Sequence, residues 1–156
     1  MPGNPALADL EPLVGRWRME LYDANFLPPG ETRVTGSVEI DWIAAGGALL
    51  ICQRESEESD QPPAATWIIG RDDGETDYSV LYADRRGVSR IYAMSFDHGH
   101  WRMWRHTPQF AQRFDAEIDL DGQTIRGRWE KSVAGAAWEH DFRIDYIRRG
   151  STDPNG

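Results

Sequence analysis

The chain has 156 residues, a formal net charge of -9 from 26 acidic against 17 basic side chains, seven tryptophans and one cysteine. That length is enough for one domain with a sizeable core. The lone thiol, Cys52, excludes an intrachain disulfide and fits a reducing, cytoplasmic setting. The acidic balance disfavours nucleic acid and anionic membrane faces as partners, and no apolar run is long enough for membrane insertion as a helix. The N-terminus has no basic segment leading into an apolar run, so no signal peptide is expected.

Residues 5–14 are expected to form a short helix. Asn4 suits the N-cap, Pro5 the first helical position and Gly15 the stop. Leu7, Leu10, Leu13 and Val14 fall on one face, which is expected to plug one end of the fold. The first strand alternates Trp17, Met19 and Leu21 with Arg16, Arg18 and Glu20. A loop over 23–30 leads to the cleanest strand, with Val34, Gly36, Val38, Ile40 and Trp42 on one face. Gly46-Gly47 turns the chain into a third strand at 48–54. The acidic stretch 55–63 reads as a solvated loop, because strand patterns continue on both sides.

Residues 65–69 and 78–83 form a hairpin around a polar turn, and strands at 88–96, 101–106 and 109–120 follow. Asp121-Gly122 is the strongest hairpin signal. The last two strands are expected to turn Ile125, Gly127, Trp129, Lys131 and Val133, then Trp138, His140, Phe142, Ile144 and Tyr146, inward. These patterns predict an all-β fold, a closed antiparallel up-and-down β-barrel of about ten strands with a short N-terminal capping helix. The barrel is expected over 1–149, with a disordered tail at 150–156.

Gly15-x-Trp17 at the first strand, the helical cap before it and an arginine on the last strand (Arg148 or Arg149) resemble the calycin superfamily. That group covers lipocalins, fatty-acid-binding proteins and nitrobindin-like barrels. The run from Asp41 to Leu50, DWIAAGGALL, looks like uncharacterised bacterial lipocalin-like domains. The resemblance implies that Trp17 sits at the closed end beneath a cation from the final strand, a contact worth about 0.5–2 kcal/mol. It also implies a ligand-holding cavity. For a nitrobindin-like barrel it implies haem held by a histidine near the chain end, where His140 lies.

In the clear strands every carboxylate is expected to point outward. This argues against paired-carboxylate glycoside chemistry and against hard metal ions. The interior is then apolar and aromatic, with a few polar tips. Trp42, Gln112, Trp129, His140 and Tyr146 are candidate ligand-binding residues. Arg54, Arg90 and Tyr92 join them if strands three and six turn their even positions inward. Cys52 reads as a small buried hydrophobe. His98, His100 and His106 lack the cysteine or acidic neighbours of a zinc site and read as turn residues.

The expected function is intracellular binding of a small hydrophobic, anionic molecule by a monomer or homodimer, without a cofactor. Two alternatives use the same cavity. One is an enzyme, an isomerase, cyclase or hydrolase, with His140 or Arg90 as acid–base or oxyanion partner. The other is a haem-binding barrel with His140 as axial ligand.

Overall fold

The computed structural model describes residues 3–27, 30, 32–55 and 63–150. Ten strands run up and down: β1 (Gly15–Tyr22), β2 (Arg33–Ile43), β3 (Ala48–Arg54), β4 (Ala65–Gly70), β5 (Tyr78–Asp84), β6 (Ser89–Asp97), β7 (His100–Arg105), β8 (Phe110–Ile118), β9 (Thr124–Val133) and β10 (Glu139–Arg148). Each pairs antiparallel with its sequence neighbours, and β1 also pairs with β10, so the sheet is a closed barrel. Closure leaves no strand edge exposed. No helix among the described residues is long and apolar enough to cross a membrane. The tail at 151–156 and most of the acidic loop, 56–62, lie outside the described residues.

The N-terminal segment is a 3-10 helix, Pro5–Leu13, with the Asn4 side chain accepting from the Ala6 backbone N–H. Leu7, Leu10 and Leu13 recur every three residues, which matches three residues per turn. They therefore stack on one side, and all three are fully buried in the core. This helix fills one end of the barrel. Tyr78 donates to the Ala6 carbonyl and the Trp17 indole N–H to the Leu13 carbonyl, at 3.3 and 2.9 Å, so β5 and β1 both hold the plug.

Arg148, at the end of β10, pins the same end. Its guanidinium carbon lies 4.1 Å from the Trp17 ring centroid. Its nitrogens donate to the carbonyls of Val14, Pro12 and Gly122 at 2.7, 2.8 and 3.0 Å. Gly15 has φ +141, and a Cβ there would lie 2.4 Å from Arg148 Nη1. The missing side chain is what lets the guanidinium reach across the strand junction.

Register decides which side chains face inward. The turn at 44–47 pairs Trp42 with Leu49, Ile40 with Ile51 and Val38 with Gln53. Even positions of β2 therefore face odd positions of β3. Arg54 and Cys52 lie on the outer wall, correcting the inward expectation for Arg54 and the buried one for Cys52. In β6 the even positions do turn inward, and Tyr92 and Met94 are buried.

A second correction concerns β10. Its pairing with β9 slips between His140 and Phe142, a bulge in which Asp141 is the extra residue. One extra residue exchanges the faces. Phe142, Ile144 and Tyr146 keep the expected inward side, but His140 is opposite Glu130 and points outward. Trp138, also expected inside, lies on the outer wall with the Arg113 guanidinium 4.2 Å from its ring centroid. Val133 is exposed rather than interior.

Candidate functional site

Opposite the helical plug the barrel is hollow. A cavity of about 430 Å³ opens at the end formed by the tops of β1, β3–β6 and β8–β10. Its wall is aromatic. Trp67 and Tyr82 are opposite each other on β4 and β5, with ring centroids 4.4 Å apart. Trp129 stacks near-parallel to Trp67 at 6.2 Å and to Phe142 at 6.2 Å. Tyr92 meets the Trp129 ring edge-on at 5.7 Å. At the mouth Phe26, from the 23–27 loop, sits edge-to-face on Phe142 at 5.7 Å.

The polar groups fall into two kinds. Some are neutralised locally. Asp84, with its side chain 5% exposed, takes two bonds from the Arg86 guanidinium, at 2.8 and 3.2 Å, and one from the Tyr82 hydroxyl at 2.7 Å. Its other oxygen accepts from the backbone N–H groups of Arg86 and Val88. Arg86 above all holds the Asp84 carboxyl well below the usual carboxylate range. Burial, and then the bond to Asp84, pushes the Tyr82 phenol up to about 12. Asp141 also lines the cavity, 3.6 Å from Lys131 Nζ. These two carboxylates correct the expectation that all acids face outward. Each sits where a cation and a rim turn offset its burial cost.

The other group is not neutralised. Gln112, a buried polar side chain, accepts on one oxygen from the Tyr92 hydroxyl at 2.7 Å and from Arg90 Nη1 at 3.3 Å. The Arg90 guanidinium stands 5.1 Å from the Phe110 ring centroid. Among the described residues no carboxylate comes within ion-pair distance of Arg90, and none accepts from the Gln112 amide N–H groups. Burial raises the Tyr92 phenol, and the neighbouring Arg90 and Arg105 partly offset that. Deeper in, burial alone pushes the Tyr146 phenol far above its ordinary range, and its hydroxyl has no partner among the described residues. Arg90 therefore stands among aromatic rings with no carboxylate to offset it. Arg105 on β7, opposite Gln112 and with its buried Nε lacking a hydrogen-bond partner among the described residues, adds a second positive charge beside the same group.

Of the eight candidates from the sequence, Arg90, Tyr92, Gln112, Trp129 and Tyr146 line this one cavity. Trp42 does not. It lies toward the plugged end, its indole donating to Glu11 at 3.1 Å. Arg54 is on the outer wall. His140, outside as well, donates from Nε2 to the Asp23 carbonyl at 2.8 Å and lies 3.3 Å from the Asp23 carboxylate. It thus fastens the mouth loop to β10. Sequence reasoning missed Trp67, Tyr82 and Gln53. The period-2 pattern of the β4–β5 hairpin, with Trp67 and Ile69 against Tyr78, Val80 and Tyr82, carried the signal for the first two.

No histidine, cysteine or methionine lines the cavity among the described residues. Axial haem ligation by His140 does not fit this arrangement. Of the two residues expected as acid–base or oxyanion partner in a cavity enzyme, Arg90 lines the cavity and His140 does not. His100 is tied to Asp115 at 2.7 Å and His106 rests edge-on against Trp138. No three of the described histidine, cysteine and acidic residues gather as metal ligands.

No protein-family model and no curated protein matches the chain. Among solved structures it is similar to the crystal structure of Rv2717c from M. tuberculosis, with 15% identity and a TM-score of 0.63. The match covers 94% of this chain and 99% of that one. At that identity the likeness is one of fold: a ten-stranded closed barrel.

Proposed function

We propose that this barrel binds a small hydrophobic molecule carrying one anionic group, in the manner of the calycin barrels that Gly15, Trp17 and Arg148 resemble. The observation that carries the reading is Arg90. An arginine among rings, with spare donors and no carboxylate nearby, is costly to keep unless a ligand supplies the counter-charge. The aromatic wall takes the apolar body, and Arg90 with the Gln112 amide takes the anion. Tyr146 offers a second hydrogen bond at the cavity floor.

The test is a fluorescence titration with anilinonaphthalene sulfonate and with its uncharged relative phenylnaphthylamine. The wild-type protein is expected to bind both, the sulfonate more tightly. Arg90→Gln is expected to weaken the sulfonate about 10–100-fold, the range of one charge-assisted hydrogen bond, and to leave the neutral probe unchanged. Equal loss for both probes, or no binding by either, overturns the reading.

A further inference from the structure

The outer wall of β4–β6 differs from the rest of the barrel. The inward positions of these strands are Ala65, Trp67 and Ile69, then Tyr78, Val80 and Tyr82, then Arg90, Tyr92 and Met94. The alternate, outward positions of β4, of 79–83 and of 89–95 are only Ile, Leu, Ala, Thr, Ser and Gly. In a chain that is 28% charged, no charged side chain stands there. The outward faces of β1, β2, β8, β9 and β10 all carry both arginines and carboxylates.

The apolar members of this wall line up. Leu50 pairs with Ile68, Ile68 with Leu81, and Leu81 with Ile91, in one row across four hydrogen-bonded strands. Ile68, Leu81 and Ile91 are 38%, 43% and 67% exposed. The Arg85–Glu55 ion pair stands at the mouth end, giving the row a charged border. An apolar centre with a polar border is the anatomy of an interface core and rim.

We infer that this wall is an interface between two copies of the chain. The charge distribution favours a copy over an unlike partner. A charged partner of either sign finds its counter-charges on the other walls and turns and gains nothing here. A second copy, itself carrying -9, is repelled elsewhere and meets least repulsion where both faces are uncharged. A row perpendicular to the strands is also self-complementary under a two-fold axis. Four strands about 4.8 Å apart and about six residues long give a face of about 400 Å² in projection. Two such faces total about 800 Å², below the roughly 1,200 Å² at which stable interfaces begin, so the dimer is a weak, transient one. The cavity mouth lies at the barrel end, away from this wall, and stays open in the pair. The inference does not depend on what the cavity holds.

Sedimentation velocity from micromolar to millimolar protein tests it. A monomer–dimer equilibrium is expected, tightening as salt screens the like charges of the two copies. Ile91→Glu and Leu81→Glu are each expected to weaken association about 100-fold, because each buries two like charges face to face. Wild-type near-ultraviolet circular dichroism in both variants shows that the fold is kept. In a Cys52→Ser background, Leu81→Cys is expected to oxidise to a covalent dimer, and Glu117→Cys on the opposite wall is not. A chain that stays monomeric throughout overturns the inference. So does a dimer indifferent to both glutamates, or cross-linking that is equal at the two cysteine positions.

Discussion

The two ends of the barrel handle an inward arginine in opposite ways. At the closed end Arg148 spends its donors on three carbonyl oxygens and lays its plane over Trp17. At the open end Arg90 has a single long bond to Gln112 and a looser approach to Phe110. Both sit on the apolar side of the sheet. The difference is in what surrounds them. A guanidinium whose donors are used up by backbone acceptors belongs to the architecture. One that keeps donors free beside a void is, on the proposed reading, there for a ligand.

The sharpest way to break this comparison is to remove both charges and compare stability. Arg148→Met is expected to cost about 2–4 kcal/mol, from three hydrogen bonds and a cation–π contact whose acceptors are left unmet. Arg90→Met is expected to cost less than about 1 kcal/mol, since an apolar replacement removes a part-buried charge that has no carboxylate partner. Urea unfolding of the two variants checks this, and equal losses would sink the distinction.

An intermediate effect is expected at Asp84, the rim carboxylate. Its folded pKa is depressed, so its contribution is complete above the ordinary carboxylate value of about 4 and is lost as pH falls below that. The melting-temperature gap between wild type and Asp84→Asn should therefore be widest near neutrality and close through that window. The sign is reversed at the alkaline side. Tyr82, pushed up to about 12, holds its proton longer when folded, so its stabilisation fades as pH rises above the ordinary value of about 10.

The smallest effect is expected at His140, which the sequence had marked as a haem ligand or base. With its side chain 39% exposed, its pairing with Asp23 is worth less than about 1 kcal/mol. His140→Ala should leave probe affinity within about twofold. A loss as large as that of Arg90→Gln, in the same titration, would return His140 to the site.

These contrasts also mark what a sequence can say. The plug was readable because three leucines at spacing three have only one helical face to share. The clamp was readable because Gly15, Trp17 and Arg148 have complementary shapes that few other residues supply. Five of eight cavity candidates were readable from period-2 alternation. Arg54 was misplaced because parity across a turn depends on the exact turn length. Here Ala44, Ala45 and Gly46 take left-handed φ values of 52°, 54° and 84°, which no composition rule would assign to two alanines. His140 and Trp138 were misplaced because one bulged residue, Asp141, reverses every side chain before it. Local pattern fixes which residues alternate, but not where the alternation slips.

The bond from Arg148 to the Val14 carbonyl spans 134 residues. During synthesis, β1 emerges among the first strands and waits for β10, among the last described. Until the ribosome has released that final strand, the nascent sheet is an open ribbon with two unpaired margins. Folding of this kind is slow, because its decisive contact joins distant parts of the chain, and the waiting ribbon is the species most open to aggregation. Arg148 thus acts late, and a chain stopped just short of it would leave those margins without their clasp.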